Sequence, residues 1–211
     1  MPEPLVIVGC GGHGREIFGV VAAVNDAGGG PWKVLGFLDD APSEANLRAL
    51  DRLGSGWLGP AALLAGVDAH FVIGIGDPRV RDGVAAALEP SGRPAARLVH
   101  PAATVGPDTG LAEGVVLFAG ARVTTNVTLG RHVHLNQNAT VGHDSVLDAC
   151  VQVNPLAAVS GDCRLGRAVL IGTGAVVLQG RSVGDRATVG AGACVVRDVE
   201  SGRIVKGVPA G

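Results

Sequence analysis

A histidine and a carboxylate are adjacent at one point of this sequence, where His143 is followed by Asp144. An imidazole titrates near neutral pH, so it can accept a proton from an amine or a hydroxyl. A carboxylate beside it can fix the tautomer of the ring and stabilise the imidazolium. The pair is therefore a candidate general base with an orienting acid. The alternative is that both residues are simply exposed at a turn and have no catalytic role.

A glycine-rich loop near the N-terminus is the second feature that could do chemistry. Residues 9–14 read GCGGHG and fit the pattern GxGxxG, which holds a nucleotide phosphate when it joins a strand to the N-terminus of a helix. Asp39 and Asp40 end the next predicted strand, where a dinucleotide-binding domain would hold a ribose. Binding of NAD stays open, although only about half of a Rossmann unit fits before residue 98. The structural alternative is that the loop only packs a helix against a strand.

Before residue 98 the sequence alternates between strand and helix patterns. Short apolar runs predict strands over residues 5–8, 34–38 and 71–75, and helical spacing predicts helices over residues 15–24, 59–64 and 79–88. The βαβαβ order implies a small parallel sheet covered by helices. Residues 1–97 are therefore expected to form a Rossmann-like domain.

From Leu98 onward the sequence follows a period of six residues. Seventeen consecutive hexads, cut from that residue, carry Val, Leu or Ile at their second position. The sixth position is small or aliphatic in all but the hexad with Arg181, and a glycine often follows the aliphatic residue, where we expect it to relieve a corner. This period is typical of a parallel β-helix in which three hexads, about 18 residues, complete a triangular coil. Residues 98–211 are therefore predicted to form a β-helix domain.

The length of a coil predicts which residues stack on each other. Adding 18 to position 143 gives Gly161, and Thr173 stacks in the same way below Ala191. A glycine at position 161 would present its backbone N–H to a carbonyl oxygen without an obstructing side chain. His134 stacks one coil below Gln152.

Composition and charge argue against several classes of protein. The 211 residues include 34 glycines, no tyrosine and only 3% aromatic residues, which suits a narrow prism of small aliphatic side chains. An apolar fraction of 47% argues against disorder, and a net charge of −2 argues against a nucleic-acid-binding surface. The four cysteines form no CxxC pair, so we expect no metal site. Without a long apolar run or a basic leader, we expect no membrane span and a reduced, cytoplasmic location.

The hexads resemble those of the left-handed β-helix acyltransferases over residues 98–211. Residues 136–144, NQNATVGHD, resemble a segment of the bacterial sugar acetyltransferases of the sialic-acid O-acetyltransferase type. That subfamily includes the N-acetyltransferase that acts on UDP-4-amino sugars in bacillosamine synthesis. The resemblance implies that His143 is the general base, that Asp144 orients it, and that acetyl-CoA supplies the acetyl group. It also implies a homotrimer with active sites in the clefts between neighbouring prisms.

The same resemblance implies where acetyl-CoA lies. Members of the subfamily hold it along a line parallel to the β-helix axis, which carries over to Gly161, Thr173 and Ala191. The fourth implied cofactor contact is Gln152. Many relatives have a second histidine at this position. Glutamine can form hydrogen bonds, but it cannot relay a proton. Residues 203–211 resemble the closing segment of the family, which lies beside the CoA pocket.

The N-terminal loop resembles the sugar-nucleotide site of this subfamily. The corresponding residues are Gly11, Gly12, His13, Asp39, Asp40, Gly76 and Asp77. An aspartate can accept hydrogen bonds from uracil or from guanine, so UDP, dTDP and GDP all stay open. Asp77 stands where the bacillosamine enzyme has asparagine, and this leaves the base and the sugar undecided.

Together these resemblances imply an acetyl-CoA-dependent N-acetyltransferase of a nucleotide-linked amino sugar. A 4-amino-4,6-dideoxy sugar is the expected acceptor, for glycan or polysaccharide synthesis. O-acetylation of sialic acid or a related sugar is the nearest alternative, and it uses the same chemistry. A non-catalytic β-helix that binds a nucleotide and forms trimers is the alternative from another class. Serine acetylation is disfavoured because the usual all-helical N-terminal domain is absent.

Overall fold

The first part of the chain forms a parallel sheet flanked by helices. The computed structural model describes residues 2–28 and 32–211. Its elements are β1 (Glu3–Val8), α1 (Gly12–Asp26), β2 (Trp32–Leu38), α2 (Glu44–Arg52), β3 (Trp57–Gly59), β4 (His70–Ile73) and α3 (Pro78–Leu88), with 3₁₀ turns at Ala61–Gly66 and Glu89–Ser91. The strand order is β3-β2-β1-β4, and all three pairings are parallel. The Rossmann-like class of this domain is thereby confirmed.

Three glycines bring β1, β4 and the start of α1 into close contact. Gly9 has a φ of 105°, which favours glycine, and a β-carbon on Gly14 would overlap the carbonyl oxygen of Gly9. A β-carbon on Gly74 would lie 2.6 Å from Cα of Gly14. Because no side chain fits at these positions, α1 begins directly beside the carboxyl ends of the two central strands.

Between β2 and β4 the structure differs from the sequence prediction. The helix predicted over residues 59–64 is a strand that ends at Gly59, followed by a 3₁₀ turn that begins after Pro60. Helix α2 was not predicted from periodicity, although Ser43 caps it by accepting a hydrogen bond from the N–H of Asn46. The helix is short and mostly polar, and only Ala49 and Leu50 are buried, so its apolar stripe is too sparse to recognise.

The rest of the chain forms a left-handed parallel β-helix with three flat faces. Every strand has two residues and pairs with a strand of the next coil; His134, for example, lies opposite Gln152. Face 1 consists of Leu98–Val99 (β5), Val116–Leu117 (β8), His134–Leu135 (β11), Gln152–Val153 (β14), Leu170–Ile171 (β17), Thr188–Val189 (β20) and Ile204–Val205 (β22). Face 2 consists of Thr104–Val105 (β6), Arg122–Val123 (β9), Thr140–Val141 (β12), Ala158–Val159 (β15), Val176–Val177 (β18) and Cys194–Val195 (β21). Face 3 consists of Gly110–Leu111 (β7), Thr128–Leu129 (β10), Val146–Leu147 (β13), Arg164–Leu165 (β16) and Ser182–Val183 (β19).

The edges between the faces are named by the faces that they join, as edge 1/2, edge 2/3 and edge 3/1. From Asp108 to Gly192 every sixth residue, which lies on an edge, has a φ between 52° and 72°. The glycines that follow the aliphatic residues do not have this left-handed conformation; a β-carbon on Gly142 would instead lie 2.5 Å from the backbone nitrogen of Gly161. These glycines therefore relieve the contact between successive coils, and a different position of the hexad makes the turn.

The N-terminal domain packs on face 1 of the β-helix. Leu98, Val116 and Phe118 share one buried apolar cluster with Ile17 and Phe37 of the sheet domain. Polar contacts between the domains run mainly from α3 and from the glycine-rich loop to face 1 and edge 3/1. Over the ranges that the structure describes, no helix combines the length and apolarity that a membrane span requires.

Candidate active site

His143 lies on edge 2/3, directly after β12. Its Nδ1 is 2.7 Å from Oδ2 of Asp144. A carboxylate only accepts hydrogen bonds, so this contact places the ring hydrogen on Nδ1 and leaves the lone pair on Nε2. Both side chains are about half exposed, at 51% and 58%. The arrangement presents a base whose tautomer is fixed and whose free nitrogen is accessible.

The turn beneath the pair is held by a buried hydroxyl. Asp144 is one of the left-handed edge residues, with a φ of 58°, a conformation that aspartate tolerates better than most side chains. Ser145, which is fully buried, donates to the carbonyl of Ser160 (3.1 Å) and accepts from the N–H of Cys163 (3.1 Å). These bonds tie the turn that carries His143 to the next coil along the chain, which contains Gly161.

Gly161 lies under the imidazole ring, as the coil length predicts. A β-carbon at this position would lie 2.5 Å from Nε2 of His143, so only glycine fits beneath the ring. The carbonyl of Gly161 accepts from the N–H of Gly180 (3.0 Å). Among the described residues, its own N–H has no hydrogen-bond acceptor. The structure therefore brings together an imidazole, a carboxylate and a spare backbone donor.

Thr173 and Ala191 stack on each other, but on edge 1/2. The carbonyl of Thr173 accepts from Gly192 N (2.9 Å), and a β-carbon on Gly172 would lie 2.6 Å from Ala191 N. Position 173 is two hexads beyond 161, which is two thirds of a coil. Within one chain, the cofactor line predicted through Gly161, Thr173 and Ala191 is therefore divided between two edges.

The glycine-rich loop lies at the carboxyl edge of the sheet, where open α/β sheets bind ligands. Gly11 precedes α1 and offers no side-chain cap, so the first N–H groups of the helix, from Gly12 onward, face the loop. A β-carbon on Gly76 would lie 3.6 Å from the ring of His13. The loop after β1 and the turn after β4 therefore pack together, as the sequence predicts for a shared site.

The three aspartates at this edge bind backbone N–H groups of the chain itself. Asp39 accepts from the N–H and the thiol of Cys10 (2.9 and 3.1 Å), Asp40 accepts from Ala61 N (2.8 Å), and Asp77 caps α3. Burial favours a higher pKa for Asp39, but the bonds from Cys10 hold that pKa below its ordinary value. The carboxylates thus shape the loops, and each has a further oxygen lone pair for a ligand.

The ring of His13 points away from the sheet edge, toward the β-helix. Its Nε2 is 2.9 Å from Nδ1 of His134 on face 1, and one of the two nitrogens carries the shared hydrogen. Burial, with the nearby cation of Arg81, lowers the pKa of His13 to about 4. Burial also lowers the pKa of His134 well below its ordinary value. At neutral pH both rings are therefore neutral, so His134 is a structural partner of the loop.

Known proteins resemble this chain both in its N-terminal domain and over its whole length. The PglD N-terminal domain family matches residues 4–88. The acetyltransferase domain of PglB from Neisseria gonorrhoeae, solved in complex with acetyl-CoA, is 33% identical, with a TM-score of 0.88 over 100% of this chain and 99% of that chain. The chain belongs to the hexapeptide-repeat sugar acetyltransferases.

Two further solved structures are similar to this chain over almost its whole length. PerB from Caulobacter crescentus, in complex with CoA and GDP-perosamine, is 29% identical, with a TM-score of 0.86 over 99% of this chain and 96% of that chain. WeeI from Acinetobacter baumannii is 26% identical, with a TM-score of 0.84 over 98% of both chains. A search of curated protein sequences finds no match. In the described part of this acetyltransferase, no group of three or more His, Cys, Asp or Glu side chains could hold a metal ion.

Gln152 does not lie with the other predicted cofactor residues of this acetyltransferase. It is on face 1, only 1% exposed, beneath the N-terminal domain. Its Oε1 accepts from Arg81 (2.9 Å) and its Nε2 donates to Asn154 (3.2 Å). The residue is enclosed because α3 covers this part of face 1, and within one chain its amide does not reach edge 2/3.

Arg81 is the residue of this acetyltransferase that sequence reasoning missed. It lies on α3, fully buried between the two domains, and Asp82 beside it pairs with Arg167 (2.6 Å) and Arg186 (3.7 Å) of the β-helix. A signal was present in the sequence. Arg81 falls on the buried side of the helix with Pro78 and Leu88, where an apolar residue would be expected.

Proposed function

We propose that this acetyltransferase moves an acetyl group from acetyl-CoA to the amine of a nucleotide-linked amino sugar. A 4-amino-4,6-dideoxy sugar is the proposed acceptor. The observation that carries the proposal is the pairing of His143 Nδ1 with Asp144 while Nε2 faces Gly161, in a chain that also has a nucleotide-type glycine loop. The solved relatives support the reagents, because one was determined with acetyl-CoA and another with CoA and GDP-perosamine.

In the proposed reaction, Nε2 of His143 takes a proton from the sugar amine as its nitrogen attacks the thioester carbonyl. A C–N bond forms, and the negative charge moves to the carbonyl oxygen, for which the Gly161 N–H is the available donor. Asp144 holds the ring and stabilises the imidazolium. When the C–S bond breaks, the imidazolium can return the proton to the leaving thiolate, and the products are CoA and the N-acetylated sugar.

We infer that the site is completed by a neighbouring copy of the chain, in a homotrimer. The N-terminal domain covers face 1. His143 and Gly161 lie on edge 2/3, whereas Thr173 and Ala191 lie on edge 1/2. A closed ring of three copies would bring edge 2/3 of one prism near edge 1/2 of the next. Leu156 on edge 1/2 is 65% exposed and Leu178 on edge 2/3 is 41% exposed, which suits a contact between edges.

The acceptor is inferred from the glycine loop. The open N-terminus of α1 suits a diphosphate, and the second carboxylate oxygen of Asp40, which accepts no bond from the described residues of the chain, suits an N–H donor of a base or sugar. These groups favour a nucleotide sugar over free sialic acid, which has no phosphate. The four cysteines are free thiols, which supports the proposed cytoplasmic location.

A substrate panel tests this function. The protein is incubated with acetyl-CoA and UDP-, dTDP- and GDP-linked amino sugars, and release of the CoA thiol and the product mass are followed. The matched control is the same nucleotide sugar with a hydroxyl in place of the amine. We expect turnover with at least one amino sugar and none with its hydroxyl control. Turnover with sialic acid alone, or with no nucleotide sugar, would overturn the proposal.

A further inference from the structure

Between the two domains, one cation of the described part of the chain is fully enclosed, the guanidinium of Arg81. The guanidinium of Arg81 donates from Nε to the carbonyl of His132 (3.1 Å) and from Nη2 to those of Cys150 and Val151 (both 3.2 Å). All three acceptors belong to edge 3/1 of the β-helix, and the side chain is fully buried. Arg81 thereby fixes α3 on the β-helix.

The same guanidinium also holds the turn that follows β4. Nη1 donates to the carbonyls of Ile75 (2.6 Å) and Gly76 (3.4 Å) and to Oε1 of Gln152 (2.9 Å). One planar group therefore binds the turn of the N-terminal domain and the β-helix together. Lysine has three donors on a flexible stem and cannot form this set of bonds.

Among the residues that the structure describes, no carboxylate accepts a hydrogen bond from this guanidinium. Its acceptors are five backbone carbonyls and an amide, and the neighbouring Asp82 is paired with Arg167 and Arg186. Enclosing a cation without a carboxylate bonded to it is costly, and burial lowers the pKa of Arg81 to about 10, although the nearby charges of Asp77 and Asp82 oppose this shift. An apolar residue would join the two domains without the free-energy cost of burying a charge. We therefore attribute the guanidinium to the fixed positions that it gives the groups to which it is bonded.

Those groups belong to the proposed sugar-nucleotide loop. Gly76 packs against the ring of His13, which in turn bonds to His134 on face 1. A shift of the 75–76 turn would therefore move His13 and, with it, the start of α1. The position of the loop relative to the β-helix depends on where Arg81 holds this turn.

We propose that Arg81 is a positioning residue for the nucleotide sugar, which fixes the 75–76 turn and His13 relative to the β-helix. The inference rests on the proposed function. Arg81 is enclosed by the chain and touches neither edge 2/3 nor the predicted cofactor residues Thr173 and Ala191. Its loss should therefore weaken the use of the nucleotide sugar and leave the use of acetyl-CoA unchanged.

The experiment compares Arg81→Lys with Asp82→Asn in the full-length protein. Asp82→Asn weakens the ion pairs that join the same helix to the β-helix but leaves the 75–76 turn untouched. We measure the melting temperature and the KM for each substrate. Arg81→Lys is expected to raise the KM for the nucleotide sugar at least tenfold, with the KM for acetyl-CoA within twofold of the wild type. Asp82→Asn is expected to lower the melting temperature and to leave both KM values within twofold.

Gln152→Met provides a milder variant if Arg81→Lys does not fold. It removes one acceptor of the guanidinium, and we expect about a threefold rise in the KM for the nucleotide sugar alone. A rise in the KM for acetyl-CoA would instead assign Gln152 to the cofactor and overturn the proposal. Equal effects of Arg81→Lys and Asp82→Asn on the nucleotide-sugar KM would also overturn it.

A binding measurement separates this proposal from the proposed function. Calorimetric titration with UDP, with dTDP and with GDP gives nucleotide affinity without any turnover. If the wild type binds a nucleotide but acetylates nothing, the proposed function fails, whereas at least tenfold weaker nucleotide binding by Arg81→Lys still supports the positioning role. If the wild type binds none of the three nucleotides, or if Arg81→Lys binds as well as the wild type, the positioning role is wrong.

Discussion

The imidazole of His143 lies over the backbone of Gly161, one coil further along the β-helix, so closely that a β-carbon at position 161 would be 2.5 Å from Nε2. Gly161→Ala must therefore displace the ring or distort the coil. Because Nε2 is the proposed base, we expect kcat to fall by about 10²-fold or more. Steady-state kinetics and a melting curve check this. Gly110→Ala is the matched control, since a β-carbon there meets nothing within 4 Å, and an equal loss in that variant would contradict the account.

The carboxylate of Asp144 is predicted to act through the ring that it holds. Asp144→Asn keeps a side chain that tolerates a φ of 58°, but its amide can donate to Nδ1 and favour the wrong tautomer. We expect kcat to fall by about 10²-fold with little change in the melting temperature. Asp162→Asn is the control, because Asp162 occupies the equivalent left-handed position one coil along. Full activity in Asp144→Asn would show that the carboxylate does not orient the base.

The predicted assembly can be tested at an exposed leucine. Leu156 has a φ of 62° and is 65% exposed, so an asparagine would suit the backbone better and would weaken an apolar contact between chains. We expect Leu156→Asn to fold, to dissociate at micromolar concentration in sedimentation velocity, and to lose at least tenfold in kcat/KM. Val80→Asn, at another exposed apolar position, should not dissociate. A fully active monomer of either the wild type or Leu156→Asn would contradict a site shared between copies.

Acid should destabilise the fold through its buried histidines. Burial lowers the pKa of His13 and of His132 to about 4, from an ordinary value of 6.5. Above pH 6.5 both rings are neutral in the folded and the unfolded chain, and their contribution to stability is complete. As the pH falls toward 4, only the unfolded chain takes up protons, so the free energy of unfolding decreases, by on the order of 3 kcal/mol for each ring.

Urea unfolding at pH 7.5 and pH 5 measures this loss. His132→Asn removes one of the rings at a left-handed position that asparagine tolerates, since the φ of His132 is 58°. We expect the variant to lose less stability than the wild type between the two pH values. An equal loss in both proteins would show that His132 does not titrate in the way its burial implies.

The β-helix could be predicted from the sequence because its contacts follow a fixed interval. Positions 143 and 161 stack, as do 173 and 191, since backbone pairing joins residues one coil apart. The position of a residue within the 18-residue coil also determines the edge on which it lies. This count places Thr173 and Gly161 on different edges. The left-handed residues are harder to recognise from the sequence. Leu156, Cys150 and Ala168 have left-handed backbones, but only a glycine or an asparagine would have indicated this conformation.

The contact between the domains could not be predicted in the same way. It depends on how α3 packs on face 1, and no pattern of neighbouring residues in the sequence predicts that packing. The resemblance to the sugar acetyltransferases indicated His13 and Gly76, but the bond from His13 to His134 and the bonds of Arg81 join residues far apart in the sequence. Gln152 shows how contacts within the β-helix differ from contacts between the domains. Its position in the coil could be predicted from the sequence, whereas its enclosure beneath Arg81 could not.

The most direct test of the account is the rate of acetyl transfer in His143→Asn, with wild-type protein and His70→Asn as controls. The three proteins are compared at saturating acetyl-CoA with the nucleotide amino sugar that the wild type uses best. If His143 is the base, His143→Asn folds normally and loses about 10²–10⁴-fold in kcat, while His70→Asn stays within twofold of the wild type. A kcat for His143→Asn within twofold of the wild type would contradict the assignment of His143 as the base.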